Sequence, residues 1–288
     1  MNTIIFTIAA LTLLGFFLAV VLYFVAQKFM VYEDPRIGDV NEILPGANCG
    51  GCGFAGCKAF AEALVNTDDI SSLNCPVGGT NTMNSIATYL GKVAAVKDPM
   101  IAVVRCNGSC ETRPRTNNYN GAASCAVMAS TYSGDTGCSY GCLGHGDCVV
   151  ACSFDAISIN PNTELPEIDE EKCTACGACA KACPKFIIEL RKKGPKSRRI
   201  YVSCVNQDKG GIAKKSCEAA CTGCTKCAKI CEFEAITITN NLAYINYEKC
   251  RLCRKCVREC PTSAIHELNF PAPKPSVENR TELNQQIN

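Results

Sequence analysis

The chain has 288 residues, of which 25 are cysteine, and its formal net charge is +2, so its length suits two or three small domains. The cysteines stand in tight C-x2-C arrays, too close along the chain to pair sensibly as disulfides, and therefore predict metal binding in a reducing compartment. Five iron–sulfur clusters, at about two negative charges each, would make the loaded protein acidic, which disfavours a nucleic-acid partner.

The N-terminal segment is apolar and uncharged. Residues 1–27 carry no charged side chain, and Ile4–Val25 is long enough to cross a bilayer as a helix. A cleaved signal peptide is the alternative, but no basic segment precedes the apolar stretch and no small-residue cleavage site follows it. Because Lys28 and Arg36 follow the helix, we expect a single pass with the rest of the chain on the cytoplasmic side.

A first group of four cysteines follows a Pro-containing connector. Glycines beside them let the backbone approach an inorganic cluster and turn its amides toward sulfur. Zinc is the alternative for this spacing, but the motifs further along favour an iron–sulfur cluster. Helices are predicted near 58–65 and 81–90, and a strand near 101–105. The candidate ligands are Cys49, Cys52, Cys57 and Cys75.

Two C-x2-C-x2-C-x3-C-P motifs, typical of cubane [4Fe–4S] clusters, lie downstream. In such a motif the first three thiolates bind one cluster and the fourth binds a second, so each motif requires a partner upstream. The motifs are Cys173, Cys176, Cys179 and Cys183, and Cys250, Cys253, Cys256 and Cys260. Their partners are Cys138, Cys142, Cys148 and Cys152, and Cys221, Cys224, Cys227 and Cys231.

The partner motifs belong to an internal repeat. When Ser124–Cys125 is aligned with Ser203–Cys204, each of the next four cysteines of the first copy falls on a cysteine of the second copy without a gap. The matched cysteines are Cys138, Cys142, Cys148 and Cys152 in the first copy and Cys217, Cys221, Cys227 and Cys231 in the second. Each copy continues through a turn, at 160–162 and at 240–241, which predicts a β-hairpin. The expected fold is therefore α+β: one transmembrane helix, a small cluster domain and two tandem bacterial-type two-cluster ferredoxin modules.

Ferredoxin pairing predicts five clusters, but the first module lacks one ligand. His145 stands where the second module has Cys224. We interpret His145 as an ordinary loop residue and Cys138, one helical turn before Cys142, as the replacement thiolate. Five cysteines then remain, either as buried thiols or as the source of a sixth cluster. They are Cys106, Cys110, Cys125, Cys204 and Cys217.

The expected domain bounds follow from these motifs. They are 1–27 for the transmembrane helix, 28–92 for the N-terminal cluster domain, 93–190 and 200–268 for the modules, and 269–288 for a disordered tail. The basic segment Arg191–Arg199 between the modules is interpreted as a solvated linker, with a docking patch for an acidic partner as the alternative.

This order of parts resembles the B subunit of Rnf complexes, the ion-translocating ferredoxin:NAD oxidoreductases of bacterial cell membranes. The most specific part of the resemblance is Asn48–Gly53 with Cys57 and Cys75. It implies a subunit that accepts electrons from reduced soluble ferredoxin and passes them to other membrane and flavin subunits. It also implies that NAD reduction and Na+ or H+ transport occur elsewhere in the complex. Serine at 153 and glutamate at 232 depart from the proline that usually follows the fourth ligand.

Two other functions are alternatives. One is an iron–sulfur redox sensor or assembly scaffold, which needs only one labile cluster and fits twenty spaced ligands poorly. The other is a ferredoxin-like subunit of another membrane redox complex, such as a hydrogenase, which differs only in its partner. No acid, base or nucleophile constellation is present in the sequence, so we expect no catalytic residues and an electron-carrying role.

Overall fold

The computed structural model describes residues 2–28, 33–95 and 98–271. The helices are α1 Asn2–Lys28, α2 Pro35–Ile43, α3 Cys57–Asn66, α4 Gly79–Leu90, α5 Cys125–Thr131, α6 Asp147–Val150, α7 Ala178–Ala182, α8 Gly210–Ser216, α9 Lys226–Lys229 and α10 Lys255–Arg258. The strands are β1 Met100–Val104, β2 Ile157–Ile159, β3 Pro166–Ile168, β4 Ile188–Lys192, β5 Arg199–Val202, β6 Ile236–Thr239, β7 Leu242–Ile245 and β8 Ile265–Leu268. This α+β content agrees with the prediction.

Helix α1 is long and apolar enough to cross a membrane. Its candidate span, Ile5–Lys28, has 24 residues and a mean hydropathy of 2.7, and none of it is buried against the rest of the protein. At the helical rise of about 1.5 Å per residue this span exceeds the thickness of a bilayer core. The helix is therefore free to face lipid along its length.

Helices α2, α3 and α4 form the N-terminal domain. Their apolar faces bury Val40, Phe60, Leu64 and Ile86 in one core. Asp34 caps α2 by accepting a hydrogen bond from the Arg36 N–H at 2.9 Å. The connector predicted after the membrane helix is thus largely helical, and the two helices predicted in this region are confirmed.

The two ferredoxin modules repeat one arrangement of strands. In each module the first and last strands form an antiparallel pair, β1 with β4 in the first module and β5 with β8 in the second. An inner hairpin lies between them, β2–β3 and β6–β7. The predicted strand and both predicted hairpins are confirmed. The last strand of the first module, β4, ends at Lys192, whereas that module was expected to end at 190. The first strand of the second module, β5, begins at Arg199, whereas that module was expected to begin at 200.

The modules pack directly against each other. Ile101 and Val103 of β1 share a small core with Tyr201 of β5. Arg105, 8% exposed, donates hydrogen bonds to the carbonyls of Val202 and Cys204 at 3.3 Å each. These contacts give the two modules one continuous interior.

The prediction of a solvated linker is wrong at both of its ends. Arg191 is only 1% exposed, and its guanidinium lies 5.0 Å from the Tyr244 ring centre and pairs with Glu189. Arg199 is 3% exposed and pairs with Glu170. Each buried cation thus has a carboxylate partner, which offsets the cost of desolvation. A run of basic residues in a sequence does not reveal such partners.

The first residues assigned to the predicted disordered tail, 269 and 270, contact the rest of the protein. Asn269 donates hydrogen bonds to Glu170, and the Phe270 ring lies 5.1 Å from the Arg254 guanidinium. The rest of the tail prediction, from 272 onward, falls outside the described residues.

Replacing Arg191 by methionine should destabilise the protein by about 1–3 kcal/mol, because Glu189 would keep only Arg105 as a partner and the Ile245 carbonyl would lose its hydrogen bond. Lys192→Met is the matched control: its ion pair with Asp98 is solvent-exposed, and such pairs contribute about 0–1 kcal/mol. The midpoint of anaerobic urea unfolding, followed by far-UV circular dichroism, measures both effects. Equal midpoints for the two variants would contradict this account of the module interface.

Candidate iron–sulfur sites

The four predicted ligands of the N-terminal domain line one cavity. Cys49, Cys52, Cys57 and Cys75 surround an empty volume of about 300 Å³. The Asn48 side chain accepts a hydrogen bond from the Cys57 N–H at 2.8 Å, which fixes the turn between the first and third cysteines. The Gly78 N–H donates to Cys75 Sγ at 3.3 Å. Backbone amides aimed at sulfur are the donors that an iron–sulfur cluster requires.

Gly51 brings this cavity against the first ferredoxin module. A Cβ built at Gly51 would lie 2.9 Å from the carbonyl oxygen of Cys176 and 3.1 Å from its Cα. No side chain fits in that space, so the close approach of the two ligand loops depends on glycine at this position.

A second cavity lies within the first module. Its lining includes the predicted set Cys152, Cys173, Cys176 and Cys179, and its empty volume is about 340 Å³. Burial and the neighbouring thiolates of Cys173 and Cys176 raise the pKa of Cys179 to about 12. A thiolate in such surroundings needs a cation, which iron supplies.

The other set of this module differs from the predicted one. Cys142, Cys148 and Cys183 line a cavity of about 360 Å³ together with Cys125, at the start of α5. Burial, followed by the thiolates of Cys125 and Cys183, raises the pKa of Cys148 to about 11. Cys138 lines a different cavity, so the prediction that it completes this set has to be revised. The reason is that α5 folds back onto the loop that carries Cys142 and Cys148.

Asp147 holds the start of α5 beside this loop. Its carboxylate accepts hydrogen bonds from the backbone N–H groups of Cys125 at 2.8 Å and Ala126 at 2.9 Å, and from the Ser124 hydroxyl at 3.0 Å. Burial opposes ionisation of Asp147, but these donors prevail and lower the pKa of its carboxyl. Asp147 precedes Cys148, so the bonds bring Cys125 to the Cys148 loop.

His145 does not stand among the residues that line this cavity. Its Nε2 lies 3.1 Å from Met128 Sδ, and its ring centre is 5.5 Å from that of Tyr119. The side chain therefore packs against α5, in keeping with its interpretation as a loop histidine.

In the second module, the predicted ligands raise one another's pKa. Burial and then the thiolates of Cys221, Cys224 and Cys260 raise the pKa of Cys227 to about 11. Burial, followed by the thiolates of Cys250, Cys253, Cys227 and Cys231, raises the pKa of Cys256 to about 12. Cys224 and Cys253 are exposed, whereas every predicted ligand in the first module is buried or half-buried.

Four of the five cysteines left over by the sequence line cavities together with other cysteines. Cys106, Cys204 and Cys217 line a cavity with Cys138, and its empty volume is about 300 Å³. Cys125 is the fourth, in the first-module set described above. Cys110 is exposed, and its thiol donates to the Asn162 carbonyl at 3.1 Å.

A signal for this placement is present in the sequence. Cys106 lies two residues beyond the end of β1, and Cys204 lies two residues beyond the end of β5. The structural equivalent of Cys204 is thus Cys106, and the gapless match of Cys125 to Cys204 is misleading. The first module carries extra residues before Cys138, with 31 residues between Cys106 and Cys138 but only 12 between Cys204 and Cys217.

Family models match the three cysteine-rich parts of the chain. Residues 44–77 match a family described as "Putative Fe-S cluster". Residues 137–187 and 220–265 match two families of 4Fe-4S dicluster domains. The matches coincide with the N-terminal ligand loops and with the ligand loops and hairpins of the two modules.

Three curated proteins are similar to almost the whole chain. The B subunit of the Na(+)-translocating ferredoxin:NAD(+) oxidoreductase complex of Acetobacterium woodii is 44% identical over 92% of this chain and 78% of its own. The B subunit of the ion-translocating oxidoreductase complex of Methanosarcina acetivorans is 40% identical over 92% and 98%. The B subunit of the proton-translocating ferredoxin:NAD(+) oxidoreductase complex of Clostridium ljungdahlii is 37% identical over 92% and 93%. The chain belongs to the family of B subunits of ion-translocating oxidoreductase complexes.

Proposed function

We propose that this chain takes electrons from reduced soluble ferredoxin and passes them, through [4Fe–4S] clusters, to other subunits of an ion-translocating ferredoxin:NAD oxidoreductase complex in a bacterial cell membrane. The observation that carries the proposal is that the cysteine sets adjoin one another from the exposed second module to the domain next to the membrane helix. Cubane clusters supply one-electron chemistry, and the chain's own residues hold and insulate them.

The spacing of the thiols supports cubane clusters over single metal ions. Within residues 2–28, 33–95 and 98–271, no three His, Cys, Asp or Glu side chains stand close enough to share one ion. The cysteines instead surround cavities of about 300–360 Å³ in the N-terminal domain and the first module. Thiolates around a four-iron cluster lie further apart than thiolates around zinc, because iron and sulfide fill the space between them.

Five ligand sets follow. Each lies in one of the expected domains, 28–92, 93–190 and 200–268. One set differs from the sequence prediction, with Cys125 in place of Cys138. The sets are Cys49, Cys52, Cys57 and Cys75; Cys152, Cys173, Cys176 and Cys179; Cys125, Cys142, Cys148 and Cys183; Cys221, Cys224, Cys227 and Cys260; and Cys231, Cys250, Cys253 and Cys256.

The second module is the end of the protein best suited to a soluble donor. Each of its sets has one exposed member, Cys224 or Cys253. Segments 224–230 and 249–258 contain seven basic and no acidic residues, whereas their first-module counterparts, 145–151 and 172–181, contain two lysines and one aspartate. Two bound clusters would offset about four of those positive charges, and Glu267 and Glu232 pair with two more, Arg254 and Lys255. About one positive charge remains, against about three net negative charges on the first-module segments, so the second module is the better match for an acidic electron-transfer partner such as ferredoxin.

The N-terminal set is the end best suited to delivery at the membrane. Its domain follows α1 directly, and Gly51 brings its ligand loop against Cys176 of the first module. With basic residues only after the helix, the cluster domains would lie on the cytoplasmic side, where soluble ferredoxin is found.

Replacing Cys125 by alanine should remove one cluster, and so about four iron atoms per chain, because Cys125 is the fourth ligand of its set. Cys110→Ala is the matched control, since Cys110 lies outside every set and should lose none. Anaerobic iron and sulfide analysis, with electron paramagnetic resonance of the reduced protein, measures both. Unchanged iron and unchanged spectra in Cys125→Ala would exclude it as a ligand.

Charge reversal at Arg258, an exposed residue of α10, should raise the KM for ferredoxin severalfold and weaken its dependence on salt. Lys181 occupies the equivalent exposed position of the first module, so Lys181→Glu is the control and should leave KM unchanged. Ferredoxin-dependent NAD reduction by the purified complex, at several ionic strengths, provides the measurement. An equal rise in KM for both variants would argue against docking on the second module.

A cysteine introduced at position 2 should react with a membrane-impermeant maleimide in intact cells, because the N-terminus is expected outside. Val93→Cys serves as the control; this side chain is 82% exposed in the domain expected inside, and should react only in inverted vesicles. The opposite pattern of labelling would reverse the proposed topology.

A further inference from the structure

The cavity between the two modules is built like the other cluster sites. Cys138, Cys204 and Cys217 are 6–8% exposed, and Cys106 is half-buried. Four cysteines line it, as four line the N-terminal cavity. Cys106 and Cys138 come from the first module, whereas Cys204 and Cys217 come from the second.

The four cysteines occupy matching places in the two modules. Cys106 and Cys204 follow the first strand of each module at the same distance. Cys138 stands four residues before Cys142, as Cys217 stands four residues before Cys221. Each module therefore presents the same two thiols to the interface, and only the packed pair of modules completes a set of four.

Polar groups at this cavity are arranged for sulfur and negative charge. The Asn206 backbone N–H lies 3.4 Å from Cys204 Sγ and its side-chain amide 3.5 Å from Cys138 Sγ, while the residue is only 1% exposed. Asn206 thus donates to a thiol of each module. Such donors to sulfur are a characteristic of iron–sulfur sites.

Arg113 adds a buried cation, whose Nη1 donates a hydrogen bond to the Cys142 carbonyl. The residue is 6% exposed and lines the cavity, and its Nε is buried without a hydrogen-bond partner. A Cβ built at Gly108 would lie 3.3 Å from both Arg113 Nε and Cys217 Sγ, so both groups meet at this glycine. A buried guanidinium N–H without an acceptor is costly, and an anionic group in the cavity would satisfy it.

We propose that Cys106, Cys138, Cys204 and Cys217 bind a sixth [4Fe–4S] cluster at the interface of the two modules. On binding, the four thiols lose their protons, and the oxidised cluster with its thiolates carries about two negative charges, one of which Arg113 offsets. The cluster then accepts and releases one electron, supplied by the ferredoxin of the proposed function on which this inference rests.

Two simpler accounts explain less of the site. Buried free thiols would account for the low exposure of the cysteines, but not for the orphaned Arg113 Nε or for the two Asn206 donors aimed at sulfur. A zinc ion would need thiols that converge on one point, and these do not stand close enough to share a single ion.

The site lies between the nearest sets of the two modules. Its cavity is lined by Gly141, the neighbour of Cys142 in the first-module set. It is also lined by Ala220, the neighbour of Cys221 in the second-module set. Electron tunnelling slows steeply with distance, so a cluster here provides the connection between the modules.

The test removes one ligand from each module in the full-length chain within its complex. Cys106→Ala/Cys204→Ala should lose about four iron and four sulfide per chain, and either single variant should lose the same amount, because all three lack one cluster. Cys110→Ala should lose none.

A kinetic experiment uses the Cys106→Ala/Cys204→Ala variant. When reduced ferredoxin is added and samples are freeze-quenched, its second-module clusters should be reduced at the wild-type rate. Its first-module clusters should be reduced at least tenfold more slowly than in the wild type.

Unchanged iron in the double variant, with far-UV circular dichroism showing an intact fold, would overturn the proposal. Loss of more than one cluster would overturn it as well, because the four cysteines would then act through the fold rather than as one ligand set. Failure of the proposed function is distinguishable: the Cys125→Ala variant would then keep its iron too, or ferredoxin would fail to reduce the wild-type second module.

Discussion

A cubane cluster requires four thiolates around a space that one short loop cannot enclose, and the fold of this protein follows from that requirement. In the N-terminal domain Cys75 must return from the far end of α3 to complete the set begun at Cys49. Helices α6, α9 and α10 have four residues each, too few to be stable alone. Their stability must come from the packed cysteines and the clusters, so metal binding and folding are coupled.

The second constraint is the burial of negative charge. Thiolates in the interior are tolerated only where iron, backbone amides or cations lie beside them. Gly78 and Asn206 provide N–H donors, and Arg113 provides a buried cation. At the module interface Arg105 and Arg191 pair with Glu189. The hydrogen bonds that these arginines donate to the Val202, Cys204 and Ile245 carbonyls of the second module hold the two modules in alignment.

Much of this could be predicted from the sequence, because ligand spacing within a loop is local. The C-x2-C arrays indicated the cluster type and the tandem modules, and the apolar segment indicated the membrane helix. The placement of Cys125 and Cys138 could not be predicted, because it depends on how the extra residues before Cys138 fold and on three hydrogen bonds to Asp147. The burial of Arg191 could not be predicted either, because it depends on Tyr244 and Ile245, which lie on β7 of the other module.

In the proposed electron path, the cysteine sets form one continuous row from the second module to the N-terminal domain. An anomalous difference map recorded at the iron absorption edge, from crystals of the intact protein, would locate every cluster. We expect six separate cluster peaks, one of them between Cys106 and Cys217, with the N-terminal peak next to the one at Cys176. Five peaks with none at the module interface, or an N-terminal peak remote from Cys176, would contradict it.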